Sequence, residues 1–130
     1  MAVALAADQT VAPGNYNVKI AGSSGSLTEN LSFQVLVVKY LVIAQANSFS
    51  PSTLTVGAGA TVYWLNMDNP GGQDPEIHNV IISSLNVHSS DLPPIPNSGA
   101  FSYTFSTAGT YSFFCSYHPG MTGTITVSAG

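Results

Sequence analysis

Apolar positions in this 130-residue chain rarely recur at helical spacing. They come in short β-branched and aromatic runs, cut apart by clusters of Gly, Pro, Asn and Ser. A chain patterned this way buries its apolar surface by stacking sheets, so the reading is all-β. Strands are expected at Asn15 to Ala21, Leu31 to Val38, Tyr40 to Ala46, Thr53 to Val56, Thr61 to Asn66, Asn79 to Ser83, Ala100 to Phe105, Gly109 to Cys115 and Gly123 to Ser128. Those beyond residue 39 suffice for a complete β-sandwich. Breakers mark the boundaries: Gly57 to Gly59, an Asn69-Pro70-Gly71-Gly72 turn, and Pro93-Pro94-Ile95-Pro96, which reads as a rigid loop.

The first 38 residues form a separate unit. Pro13-Gly14-Asn15-Tyr16-Asn17-Val18-Lys19-Ile20 alternates, Ser23-Ser24-Gly25-Ser26 turns, and Leu31 to Val37 alternates back, which describes a β-hairpin. A lone hairpin is marginal in water. It therefore packs on the downstream sandwich, pairs with another chain, or closes an upstream domain. The stretch resembles the closing strands of immunoglobulin-like repeats of bacteria and archaea; two ordinary extra strands of a single domain is the other reading.

Charge narrows the function. Two lysines face six acids, for a formal net charge of −4 and a pI near 4.8. No basic face exists to displace counterions, so nucleic acid is excluded as a partner. Hydrophobic residues make up 45% of the chain, enough for a packed core despite the low charge. A surface of neutral Ser, Thr, Asn and Gly is commoner on secreted or cell-surface β-domains, so an extracytoplasmic location, periplasmic or cell-surface, is expected. No apolar run has the ~18–20 residues that span a bilayer. Met1 to Ala7 is apolar but lacks the basic start of a signal peptide. The Asn30-Leu31-Ser32 sequon is compatible with glycosylation.

Chemistry concentrates between Gly109 and Val127. The lone cysteine, Cys115, excludes an internal disulfide and leaves the roles of buried filler, reactive thiol or metal ligand. Tyr111, Phe113 and Cys115 share one strand face, so Cys115 ends its strand pointing inward. Ser116, Tyr117, Pro119 and Gly120 suit a tight loop in which His118 and Met121 bend back toward the thiolate. A thiolate, an imidazole and a thioether favour copper over magnesium or calcium, and a blue-copper centre needs a second imidazole. His78 heads the run Asn79-Val80-Ile81-Ile82 and is the choice; His88, in a polar stretch, reads as an exposed surface residue.

These pieces form an ordered set that resembles the cupredoxins, and among them the small plastocyanin and amicyanin group. The likeness runs over residues 41–128. It comprises Phe49-Ser50-Pro51-Ser52-Thr53-Leu54-Thr55-Val56 with Gly57 and Gly59, then Thr61-Val62-Tyr63-Trp64-Leu65-Asn66, then His78-Asn79-Val80, then Gly109 through Cys115 to Met121. The resemblance implies a Greek-key β-sandwich with one type 1 copper ion held by His78, Cys115, His118 and Met121, the imidazoles binding through Nδ1. It also implies that the Asn79 amide donates toward the Cys115 sulfur while its side chain ties the two ligand loops together. The two-residue spacer between His118 and Met121 looks like the short amicyanin loop; plastocyanins carry a longer one.

Two features depart from the plastocyanin pattern. The polar insertion Asp68 to Glu76 is longer, and its acids are expected at the copper rim, altering docking. Phe114 stands where plastocyanins usually have Tyr, and is expected to be covered by the N-terminal hairpin or a neighbouring chain.

With all four positions filled by protein, the metal keeps no open site for substrate, so the expectation is electron carriage and no enzymatic activity. His118 would be the solvent-facing port, and Pro119, Gly120 and the Pro93 to Pro96 loop an apolar docking patch for redox partner proteins. Copper sequestration or delivery is one alternative, and the copper domain of a larger cell-surface protein is another. A nitrite reductase or multicopper oxidase fragment would need paired His-x-His ligands, which the chain lacks.

Overall fold

A computed structural model describes residues 11–69, 76–95 and 99–130. The expected opening segment Met1 to Ala7, the turn residues beyond Asn69, Asp74 and Pro96 lie outside those described. The chain divides into two compact units, residues 1–39 and 40–130.

In the first unit, β1 (Gly14–Ser24) pairs antiparallel with β2 (Leu27–Val37) along their whole length, from Gly14 opposite Val37 to Ser24 opposite Leu27. Both strands run longer than the alternation suggested, and the turn shrinks to Gly25-Ser26. Gly25 has φ +60°, as the first central residue of a two-residue hairpin turn requires. Leu27 and Leu31 stay 61% exposed and Leu36 is also exposed.

The second unit comprises two sheets. One carries β3 (Tyr40–Gln45), β4 (Ser48–Ser50), β6 (Ala60–Asn66) and β9 (Ala100–Phe105) in the order β4-β3-β6-β9. The other carries β5 (Thr53–Gly57), β7 (Ile81–Ile82), β8 (Val87–His88), β10 (Gly109–Phe114) and β11 (Thr122–Ser128) in the order β5-β11-β10-β7-β8. Parallel pairs join β3 to β6 and β5 to β11; the other pairings are antiparallel.

Period-two alternation turns Val42 and Ala44 of β3, Val62 and Trp64 of β6, Phe113 of β10 and Ile125 and Val127 of β11 into a shared core. Trp64 sits at its centre, with its ring 5.4 Å from Phe113 and 5.6 Å from Phe101; Phe49 meets Phe113 edge-on at 4.9 Å. Gly123 lies opposite Phe113, and the Phe113 ring occupies the place a side chain there would fill.

Several expectations need correction. Tyr40 to Ala46 ends at Gln45, because Ala46 (φ 50°) and Asn47 (φ 57°) form a left-handed two-residue turn into β4, a strand the sequence did not reveal. Asn79 to Ser83 is a strand only at Ile81–Ile82, after which Ser83–Leu85 coils into a 3-10 turn. Its neighbours bond irregularly, the Val80 amide donating to the Ser89 hydroxyl at 2.9 Å. His88 lies in β8 opposite Ile81 and is exposed. Residues 93–95 form no strand, as anticipated.

Candidate metal centre

The site forms where β10 ends. Alternation carries Tyr111 and Phe113 inward, and Cys115 follows them into the core. The chain then folds back on itself: the Met121 amide donates to the His118 carbonyl at 3.1 Å, and the Cys115 amide to the Met121 carbonyl at 3.0 Å. Gly120, at φ +84°, supplies the left-handed step that this closure needs. His118 and Met121 are thereby returned beside Cys115, and all three line one recess with Phe114, Ser116 and Pro119. Met121 is buried; Phe114 is half-buried; Tyr117, Pro119 and Gly120 are exposed.

His78 arrives from the opposite side. A single antiparallel bridge to Leu92 fixes its backbone, with His78 donating to the Leu92 carbonyl at 3.2 Å and Leu92 returning a bond at 2.7 Å. The imidazole is fully buried.

Among the described residues, His78, Cys115 and His118 are the one group of three such side chains whose donor atoms converge. Cys115 Sγ lies 3.9 Å from His78 Nδ1 and 3.6 Å from His118 Nδ1, and the two Nδ1 atoms are 3.3 Å apart. The point equidistant from the three lies about 2.1 Å from each, matching metal–imidazole bonds of ~2.0–2.1 Å and only slightly inside a metal–thiolate bond of ~2.3 Å.

The far edges of the imidazoles explain why those Nδ1 atoms face each other. His78 Nε2 donates to Asp68 Oδ2 at 2.8 Å, and His118 Nε2 donates to Glu76 Oε2 at 2.7 Å. An ionised carboxylate only accepts, so each ring carries a proton on Nε2, and a neutral ring held that way has its lone pair at Nδ1. The two Nδ1 atoms and the Cys115 sulfur then converge on one place. A cation satisfies that arrangement, and the soft thiolate and thioether select copper.

The acids of the insertion were expected as docking charges at the rim. Of the acids at its two ends, Glu76 does lie at the rim, half-exposed against His118, whereas Asp68 is buried against His78. Asp68 is buried; besides His78, its carboxylate accepts the Ala46 amide at 2.8 Å. Both ends hang from Asn66, which is fully buried at the inward end of β6. Its Nδ2 donates to the Glu76 carbonyl at 2.8 Å and the Leu92 carbonyl at 2.7 Å, while Oδ1 accepts the Asp68 amide at 2.9 Å. The available signal was an Asn on the inward register of a strand otherwise filled by Val62 and Trp64, since a buried amide implies buried partners.

Asn79 bridges the two ligand segments. Its amide approaches Cys115 Sγ at 3.5 Å, its Nδ2 donates to the Ser116 hydroxyl at 2.8 Å, and its Oδ1 accepts the Ser116 amide at 2.9 Å. Tyr117 donates to Asp91 at 2.8 Å, and that carboxylate hydrogen bond holds the phenol above the ordinary tyrosine range.

A two-sheet sandwich with a His–Cys–His triangle and a buried methionine at one end defines a cupredoxin. The profile of copper-binding proteins of the plastocyanin/azurin family matches residues 37–128, and the chain belongs to that family. It is 39% identical over 89 residues to plastocyanin of Scenedesmus fuscus, covering 61% of this chain and 85% of that protein. It is 32% identical over 120 residues to the chloroplastic plastocyanin of Physcomitrium patens, covering 84% and 67%. Among solved structures, the purple cupredoxin of Nitrosopumilus maritimus superposes with a TM-score of 0.58 at 27% identity, over 69% of this chain and all of that one. A reduced Cu(I) amicyanin variant gives 0.60 at 26%, over 72% and 86%. His78, Cys115, His118 and Met121 are positioned to form a type 1 copper site.

Proposed function

We propose that the protein is a one-electron carrier that docks redox partners at the loop holding His118, and that it is not an enzyme. The observation that carries this reading is the triangle of Cys115 Sγ and two Nδ1 atoms with a metal-bond radius. Copper bound there supplies the Cu(II)/Cu(I) couple. The chain's part is to hold the donors still and keep water away. His78, Cys115 and Met121 are buried between the sheets, and Asn79 fastens the two ligand segments together, so the ligand positions persist whatever the charge at the centre.

That rigidity and burial favour electron carriage over copper delivery, which requires a ligand set that opens. His118 keeps 14% of its side chain exposed, which supports its role as the port. Around it Pro119, Gly120 and Tyr117 are exposed to a partner, flanked by the carboxylates of Glu76 at His118 and Asp91 at Tyr117.

Residues 1–38 act, in this proposal, as the link from the copper unit to further β-structure, either an immunoglobulin-like repeat or a second copy. The exposed Leu27, Leu31 and Leu36 on a two-stranded sheet support such an association. The proposed location is extracytoplasmic, periplasmic or cell-surface; no helix among the described residues is long and apolar enough to cross a membrane.

Visible spectroscopy tests the central claim. The copper-loaded protein is expected to show an intense thiolate-to-Cu(II) band that bleaches on reduction and is absent from Cys115→Ser. A colourless Cu(II) complex of the native chain overturns the type 1 assignment.

A further inference from the structure

Each imidazole of the metal triangle is backed by a carboxylate, and the two carboxylates come from opposite ends of one insertion. We propose that Asp68 and Glu76 are positioning residues of the copper site: they fix both histidines as Nε2–H tautomers with Nδ1 free for the metal, and their negative charge biases bound copper toward Cu(II). The inference rests on the type 1 copper reading and adds to it what sets the balance between oxidation states.

The geometry is built. A carboxylate taken out of water needs partners for both oxygens, and Asp68 has them. Oδ1 accepts from Ala46 at 2.8 Å and Oδ2 from His78 at 2.8 Å. Its backbone is pinned at both faces, the amide by Asn66 at 2.9 Å and the carbonyl by the Ile95 amide at 3.0 Å. Glu76 is held through its carbonyl by the same Asn66, at 2.8 Å, which aims its side chain at His118. One buried amide thus sets both acids against both ligands.

Two consequences follow. A neutral imidazole in water samples both tautomers, and only the Nε2–H form offers Nδ1 to a metal; a fixed acceptor at Nε2 removes the wrong form before copper arrives. A carboxylate accepting from a ligand imidazole also raises its basicity, and added negative charge stabilises the higher oxidation state. The buried Asp68 acts through less solvent than Glu76, whose side chain is 35% exposed, so Asp68 has the larger effect.

Substitution separates the two effects. Glu76→Gln keeps an oxygen for His118 Nε2 and removes only charge. Asp68→Asn leaves one oxygen for two donors, the Ala46 amide and His78 Nε2, so one hydrogen bond must fail. Outer partners of metal ligands are worth ~10–100-fold in affinity. The preference for Cu(II) over Cu(I) is therefore expected to fall about tenfold in Asp68→Asn, a rise in potential of about 59 mV for a one-electron couple. In Glu76→Gln it is expected to fall roughly threefold, and Glu76→Asp should recover much of that loss.

The experiment uses the full chain in two forms. Copper-loaded native protein and variants are titrated electrochemically at the visible band, and metal-free protein is examined by histidine ¹⁵N NMR. The expected result is an upward shift in both charge-removing variants, larger for Asp68→Asn, with His78 and His118 both Nε2–H in the metal-free native protein. Unchanged potentials in variants that keep the native band overturn the charge role, and Nδ1–H rings in the metal-free native protein overturn the positioning role. Glu76→Gln changes a half-exposed side chain, so the test stands even if Asp68→Asn fails to fold. A native protein lacking the visible band refutes the copper reading itself, whereas the tautomer measurement is independent of it.

Discussion

Replacing Asn66 by alanine should cost far more than a single polar side chain ordinarily contributes. The native amide is fully buried and makes three bonds, to the Glu76 carbonyl at 2.8 Å, the Leu92 carbonyl at 2.7 Å and the Asp68 amide at 2.9 Å. At a net ~1 kcal/mol per bond, their loss amounts to about 3 kcal/mol. The Leu92 carbonyl keeps the His78 amide, and water can reach the part-buried bond at Glu76. The Asp68 amide is left buried with no acceptor, which adds ~1–2 kcal/mol. A total of about 4–5 kcal/mol in a unit spanning residues 40–130 lowers its melting temperature by roughly 16–40 °C. Calorimetry on metal-free protein measures this, so that copper binding does not mask it. Asn66→Asp is the companion variant: it keeps the shape but turns a carboxylate oxygen toward two carbonyls, and should be at least as damaging. A melting temperature within about 3 °C of native in Asn66→Ala would refute the view that this amide holds Asp68 and Glu76 in place.

Three further perturbations test the packing and the site. Gly123→Ala places a methyl group within 2.7 and 2.8 Å of two Phe113 ring carbons and closer still to a third; displacing that ring from Phe49 and Trp64 should cost ~1–3 kcal/mol in denaturant titration, and a neutral result would contradict the packing of β10 on β11. Asn79→Ala removes two bonds to Ser116 and is expected to speed copper removal by a chelator about tenfold, whereas a native rate would show that the tie between ligand segments is dispensable. Free copper at a hundredfold excess over its dissociation constant should stabilise the native chain by ~2.7 kcal/mol, and that gain should largely vanish in Cys115→Ser.

The parts of this fold legible in the sequence are those where local pattern and tertiary demand coincide. The run from Gly109 to Phe114 alternates, pairs with an alternating β11, and delivers Cys115 inward, all by period two. The segment at His78 was misread because an apolar run, Val80-Ile81-Ile82, looks like strand while its backbone is shared between one bridge, a side-chain acceptor and a 3-10 turn. The turn at Ala46-Asn47 carries no glycine, and a left-handed alanine is not a turn signal. The carboxylate partners were least accessible, since Glu76 meets His118 across 42 positions and Asp68 meets His78 across a polar insertion whose pattern assigns no partner to either acid. The sequence placed those acids near the copper rim; that one is buried against His78 and the other bonded to His118 emerges only from the fold.

The single tryptophan leaves the molecule with a probe of its own. Trp64 Nε1 is the one buried side-chain polar atom without a hydrogen-bond partner among the described residues, in an indole fully removed from solvent. An excited indole there has neither mobile water nor a fixed acceptor to relax against. Its fluorescence should fall at the short-wavelength limit of protein emission, and a quenching ion held at Cys115, His78 and His118 should dim it without shifting its colour, so filling of the centre can be followed by light alone.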